Sequence, residues 1–520
     1  MPCNSYVLGV DIGTFSSKGV LVKLDGTVVA SHSVPHDVKI PRLGFAEHDA
    51  ERDWWGDFVK ITRALLEKSQ VDPGRILGVA TSGIGPCVLP VDKEGHPLRP
   101  AILYGIDTRA FAEIEILMKM LGQERLLEGS GRKELTSQAA APKILWIRRN
   151  EPDIFSKTRW FFTCHSYLIF KLTKRAVIDI YSAAGYAPMF NIFKCQWDPE
   201  IVQMMASQEV LPDLAWSYEV VGRVTRDASH ETGLLEGTPV VAGTTDAAAE
   251  ALSVGLNAVG DMMLMVGSSV FFILRTPVLM KSERFWVSNF VVPDFYTILG
   301  GMSTAGSITT WFRDNFGELE LERQKTTGED AFEQLAKLAL KSSVGAKGLT
   351  VLPYFSGERT PFFDPTAKGV IFGLTLAHKK GDIYRAILES VAFGIKHNMD
   401  ELIEEGAVPE RIILAGGILK NELWTKIIAD VCQREFEVPC QTIGASFGDA
   451  FLVALGVGHF KNISDVKEWA KIKGVVKPTT DEREIKIYEI KYQLFRQLYE
   501  QTKELMKKVH TLQEMLTISD

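Results

Sequence analysis

The sequence predicts an α/β protein built from two related lobes, on three observations. At 520 residues the chain is too long for one ordinary hydrophobic core, so two large domains are expected. A strand–turn–strand unit is written twice, as YVLGVDIGTFSSKGVLVKLDGTVV at residues 6–29 and as DMMLMVGSSVFFILRT at residues 261–276. Around these copies, short apolar runs ending in glycine-rich turns alternate with stretches of helical periodicity.

In chain order, Asp25-Gly26 supplies a hairpin turn before a third strand. A helical stretch over 49–69 leads to ILGVATSGIGP, a buried-type strand that runs into a Gly-rich loop. Residues 110–220 read as mainly helical, with aromatic clusters such as Trp160-Phe161-Phe162. TPVVAGTTDAAAEAL, 238–252, is strand, turn, helix. The second hairpin follows almost at once, which puts the domain boundary near 255 and gives lobes 1–254 and 255–520. Beyond it come a helix from Ser307 to Phe316, a polar helical excursion over 320–342 and the loop LPYFSGERTPFFDP. Ile383, Ile387, Leu388, Val391, Ile395, Met399 and Leu402 then mark an amphipathic helix over 382–405. RIILAGGILKNELWTKIIADV is again strand, glycine pair, helix, and a charged amphipathic helix starts near 480.

Apolar content of 46% and charged content of 24% are those of a globular protein. The net charge of −7 argues against nucleic acid and anionic membranes as partners. No apolar run approaches the roughly 20 residues needed to span a bilayer, and no basic segment with a long apolar run precedes the first strand, so a cytoplasmic protein is expected. Six scattered cysteines with no C-x-x-C pair read as free thiols.

The turns carry the chemistry. Asp11 ends the first apolar strand and is followed by Gly13-Thr14 and Ser16-Ser17-Lys18. A carboxylate there can hold Mg²⁺ through water, while the turn amides, hydroxyls and Lys18 suit β- and γ-phosphates. The alternative is an Asp-Gly turn with a capping role. The recurrence of Gly267-Ser268-Ser269 in the same hairpin frame favours phosphate. Asp246 ends a strand before an alanine-rich helix, where it is placed as a general base or, alternatively, as a helix cap. Gly416-Gly417 lies between strand and helix, as an approach to a flat ligand such as adenine or only a turn. The sequence has no G-x-x-x-x-G-K-[ST], H-E-x-x-H or G-x-S-x-G, and its ten histidines show no metal-ligand spacing.

Together these residues resemble the FGGY family of carbohydrate kinases over nearly the full chain. Gly369-Val-Ile-Phe-Gly373-Leu374, then Asp382-Ile383-x-x-Ala386-Ile387-Leu388-Glu389, fits the family's C-terminal signature. GERTPFFDP, 357–365, is similar to its G-E-R-T-P segment, and LWIRRN, 145–150, to its N-terminal signature around Lys143, with Ala140 where Pro, Ser or Thr is usual. The resemblance implies two ribonuclease H-like lobes of the actin/hexokinase type, with an interdomain cleft, sugar deep in it and MgATP held largely by the second lobe. It implies Asp11 as the Mg²⁺-linked carboxylate, with Gly13, Thr14, Ser17 and Lys18 in the first phosphate loop. Asp246 is implied as the base, and Gly267, Ser268 and Ser269 as the second phosphate motif, with Ser268 at a usual Thr. Gly306, Gly416, Gly417 and Asn421 are implied as nucleotide contacts.

The implied reaction is ATP-dependent phosphorylation of a primary hydroxyl. On the sugar side the resemblance implies Gly85, Pro86, Asp107 and Arg109 together with Asp246. Gly85-Pro86 stands where xylulose kinases carry Met-His and glycerol kinases Arg-Glu; Ala247 stands at a frequent Asn. Tyr104 is one residue farther from Asp107 than the usual Trp. A ketopentose such as xylulose is the expected acceptor, with gluconate, ribulose, glycerol, erythritol or another polyol as alternatives. A non-kinase actin-like ATPase or sugar-responsive regulator is the rival from another class. A homodimer through the C-terminal helix stays open beside packing of that helix on its own lobe.

Overall fold

The structure, a computed structural model, describes residues 5–206 and 208–517. The chain opens with β1 (Tyr6–Ile12), β2 (Ser16–Lys23) and β3 (Val28–Pro35). Asp49 then caps a tight turn over Ala50–Trp55 that leads into α1 (Gly56–Ser69), followed by β4 (Ile76–Gly83). After a helical region that includes α2 (Ala140–Asn150) come β5 (Val220–Arg223), β6 (Pro239–Val241), β7 (Thr244–Thr245) and α3 (Asp246–Ser253). Next are β8 (Asp261–Val266), β9 (Val270–Thr276), α4 (Gly306–Phe316), α5 (Lys380–Glu404), β10 (Arg411–Ala415) and α6 (Glu422–Cys432). The chain ends with β11 (Phe436–Pro439), α7 (Ala445–Gly456), β12 (Ile472–Val476) and α8 (Glu482–Thr517).

These elements make two compact α/β units. One contains residues 1–259, 275–298 and 443–471; the other contains 260–274, 299–442 and 472–520.

In the first unit the sheet order is β5-β6-β4-β1-β2-β3, with β7 also beside β4. β1 is antiparallel to β2 but parallel to β4. A central parallel strand is covered on both faces, which is why YVLGVDI is a nearly unbroken buried apolar run. Glycines let helices approach these strands closely. A Cβ at Gly19 would lie 2.3 Å from Ile61 of α1, and one at Gly9 would lie 2.0 Å from the Ser446 carbonyl of α7. Gly9 pairs with Val20, and Gly19 with Val10, so the two glycines face opposite sides of the sheet.

The second unit repeats the plan. β9 and β8 form the antiparallel hairpin, β10 lies parallel to β8, and β11 and β12 continue the sheet. α5 is buried along most of its length. α8 packs on α5 through Tyr492 and Phe495 against Phe393, with Lys491 bonded to the buried Glu389 at 2.7 Å. Among the described residues no helix is long and apolar enough to cross a membrane, and five cysteines are free.

Candidate active site

In the first unit the carboxyl ends of three parallel strands lie in register. Asp11 of β1 pairs with Ser82 of β4, which pairs with Thr244 of β7; the next row is Ile12, Gly83 and Thr245. Asp246 follows Thr245 as the first residue of α3, and Asp246 Oδ1 accepts the Ala247 amide at 2.8 Å. Helical spacing puts Glu250 one turn on, on the same face of α3. Crevices at strand carboxyl ends are the usual ligand sites of such sheets.

Burial and then the Asp246 charge push the Asp11 carboxyl up to about 7. Burial also pushes Asp246 up to about 6 and Glu250 up to about 7. Lys18, the register partner of Asp11, works in the opposite direction on both Asp11 and Glu250. Ser82 Oγ donates to Asp11 Oδ1 at 2.9 Å.

Asp449 of α7, inside an apolar helix, was not foreseen. Ser82 Oγ lies 2.7 Å from Asp449 Oδ2 and 2.9 Å from Asp11 Oδ1, and the Ser82 amide also donates to Asp449. A hydroxyl has one proton, so both short contacts are hydrogen bonds only when one of the two carboxyls is protonated. Burial holds the Asp449 carboxyl well above the usual range, and its Oδ1 is buried without a partner. Glu250 was also missed, although its spacing from Asp246 was visible.

The first turn is closed by a bond from the Gly13 amide to the Ser16 carbonyl at 3.1 Å. Thr14 Oγ1 meets the Tyr104 hydroxyl at 3.0 Å. Ser17 is buried and donates to Asp57, so its hydroxyl faces the scaffold; Lys18 is exposed. Gly85 comes beside the strand that leads to Asp246, since a Cβ at Gly85 would lie 3.0 Å from Thr245, and Pro86 lies against Gly185, where a Cβ would be 2.8 Å from it.

Asp107 and Arg109 serve each other. Arg109 Nη2 lies 2.7 Å from Asp107 and 2.9 Å from Glu47, and Asp107 also accepts the Ala46 amide. The guanidinium lies 3.9 Å over the Phe45 ring, and Nη1 alone of the pair's polar atoms lacks a partner. Together they brace the loop whose Tyr104 carbonyl accepts the Asp107 amide.

In the second unit, Gly267–Ser269 forms the turn between β8 and β9, closed by Gly267 N to Ser269 O at 2.9 Å. The Gly267 and Ser268 carbonyls accept the amides of Gly306 and Ser307, and Ser307 Oγ donates to Ser268 at 2.8 Å. The turn therefore sits on the start of α4, and a Cβ at Gly306 would lie 2.6 Å from the Gly267 carbonyl. The parallel pairing of Met265 with Ala415 puts Gly416-Gly417 next to this turn. Gly416 has φ +85°, and its Cβ position is 2.8 Å from the Val266 carbonyl; Gly417 opens onto free space. Asn421 caps α6 through its Oδ1. The GERTP segment is a brace, with Glu358 accepting the Ser303 and Arg359 amides and Arg359 donating to the Val270 and Met302 carbonyls.

Residues 6–253 match the N-terminal domain of the FGGY family of carbohydrate kinases, and residues 262–457 match its C-terminal domain. The fold and these matches define a carbohydrate kinase, an enzyme that transfers phosphate to an alcohol acceptor. The chain belongs to the FGGY family, whose sugar kinases use ATP. It is 29% identical to the xylulose kinase of Staphylococcus epidermidis over 97% of this chain and 99% of that one. It is 28% identical to the gluconokinase of Bacillus subtilis over 89% of this chain and 90% of that one. The solved xylulose kinase from Rhodospirillum rubrum superposes with a TM-score of 0.86 at 30% identity, over 96% of this chain and 99% of that one.

Proposed function

We propose that this kinase phosphorylates a primary hydroxyl of a small ketose, a ketopentose such as xylulose, with Asp246 as general base. The placement of Asp11 and Asp246 at the carboxyl ends of β1 and β7, the strands that flank β4, carries this reading. Residues 1–254 would supply the sugar side, the first phosphate turn and the base, and residues 255–520 the nucleotide contacts. Asp246 orients the acceptor hydroxyl and takes its proton as the oxygen attacks the γ-phosphorus in line; ADP leaves. The first-turn residues Gly13, Thr14 and Lys18, and Gly267, Ser268 and Ser269 of the second, bind the phosphate oxygens. Gly306, Gly416, Gly417 and Asn421 shape the nucleotide site. Asp11 would hold Mg²⁺, which when bound neutralises charge on the phosphate oxygens. Gly85 and Pro86 form the sugar wall, and the buried Asp107–Arg109 pair braces the loop of Tyr104. The xylulose kinase relatives support the ketopentose; the gluconokinase relative keeps a sugar acid as the second reading.

ADP release over a panel of ketoses, polyols and sugar acids tests this. Xylulose is expected to give the highest kcat/KM; a higher value with gluconate or a polyol reassigns the acceptor, and release without any sugar supports an ATPase. Asp246→Ala should retain ATP binding and lose at least about a hundredfold in turnover. Because Asp246 must be ionised and its pKa is raised to about 6, kcat/KM should fall as pH drops through that value. Normal turnover by the variant would refute the assignment of the base.

A further inference from the structure

His36, the residue after β3, makes four hydrogen bonds beneath the first phosphate turn, the longest at 3.4 Å between its Nδ1 and Ser17 Oγ. Its amide donates to the Phe15 carbonyl at 3.0 Å, and its Nε2 lies 3.0 Å from the Gly13 carbonyl. Its Nδ1 lies 2.9 Å from Asp57 Oδ2, the oxygen that also accepts Ser17 Oγ at 3.0 Å. The His36 and Asp57 side chains are only 5% and 2% exposed, so water does not replace these contacts.

The proton count follows from the partners. A backbone carbonyl only accepts, so Nε2 carries hydrogen. Asp57 already accepts Ser17 on one oxygen and Lys60 on the other at 3.2 Å, which is the pattern of an ionised carboxylate. Nδ1 therefore donates to it, and the ring is an imidazolium. The other charged or titratable groups facing the ring are Asp53 and His48. His48 meets the His36 ring edge-on at 4.9 Å between centroids, and its Nδ1 accepts the Trp54 indole N–H at 3.1 Å, which makes it neutral.

We propose that His36 is a positioning residue, an imidazolium that clamps Gly13 and, through Asp57, Ser17, and so fixes the first phosphate turn for MgATP. The proposal rests on the reading of that turn as a phosphate site. Burial opposes charge on the ring, but the Asp57 carboxylate and the Gly13 carbonyl outweigh it and raise His36 above its ordinary 6.5. The clamp is complete below that ordinary value and is lost as pH rises through the raised one.

Two measurements on the full chain separate the clamp from the phosphate reading. In histidine-labelled protein without nucleotide, the His36 ring signal, assigned by its loss in His36→Gln, should titrate above pH 6.5 with both nitrogens protonated. A lower pKa or a neutral tautomer overturns the imidazolium, whether or not the turn binds ATP. In kinetics, His36→Gln should raise KM for MgATP about tenfold, the effect of one charged hydrogen bond, with a smaller change in kcat. The wild type's rise in KM at alkaline pH should vanish in that variant. Asp57→Asn keeps the ring and should move the rise to lower pH, which covers the case in which His36→Gln does not fold. A high His36 pKa with an unchanged pH dependence of KM in both variants overturns the positioning role.

Discussion

At Ser82 one hydroxyl stands between the carboxyls of Asp11 and Asp449, and the second oxygen of Asp449 is buried with no partner. An aspartate in an unfolded chain ionises near 3.9, whereas burial holds Asp449 well above that in the fold. Stability gained by keeping the proton is complete below about pH 4 and falls as pH rises toward the folded value, because only the unfolded chain releases its proton. Asp449→Asn removes this dependence. Without nucleotide or sugar, the variant should gain on the wild type from pH 5 to pH 8 by up to about 1.4 kcal/mol per pH unit. Urea midpoints read this directly, and a difference that stays constant with pH would show that Asp449 ionises normally. The positions of Asp11 and Asp246 were legible in the sequence, because Asp11 stands at the end of an apolar strand before a polar turn and Asp246 between a strand and an alanine-rich helix. Asp449 was not, because it interrupts an apolar helix and its partner Ser82 lies 367 residues away in the chain.

The duplicated hairpin was legible at the scale of the element, because alternation and turn chemistry are local. Each copy does have a parallel strand beside its first strand, β4 in one unit and β10 in the other. The helices were legible to within a few residues where apolar spacing was strong, as in α5, expected over 382–405 and found at Lys380–Glu404. The destination of α7 was not, since glycines in a helix read locally as weakness and only the neighbouring backbone explains them. A Cβ at Gly448 would lie 1.9 Å from the Ala249 carbonyl of α3, and backbone cannot yield as a side chain can. Gly448→Ala therefore sets a helix-propensity gain of about 1 kcal/mol against overpacking of about 1–3 kcal/mol or more. The clash should win, lowering stability by about 2 kcal/mol as a reduced urea midpoint with unchanged slope. A more stable variant would show that α3 and α7 do not approach so closely.

For the whole molecule, the consequence is that neither unit is a continuous stretch of chain. Residues 443–471 return to the unit that holds β1 and β4. In that return segment Phe447, Phe451, Leu452 and Val453 are 2% exposed or less. At about 1.5–3 kcal/mol for each buried side chain of this kind, the segment contributes an amount comparable with the 5–15 kcal/mol net stability of a typical domain. Part of that burial lies within the segment, where Phe447 and Phe451 meet Trp469. The rest covers the sheet, with Gly78 set against Val453 and Gly9 against Ser446. A fragment ending at residue 259 would expose that face and leave Ser82 without its Asp449 partner. It should show no cooperative urea transition, and its β1 and β4 amides should exchange at least about a hundredfold faster than in the full chain. Adding residues 443–471 as a separate polypeptide should restore part of the protection, because the missing contacts lie within one unit. A fragment that unfolds cooperatively by itself, with β1 protected, would show that the first unit does not depend on the returning helix.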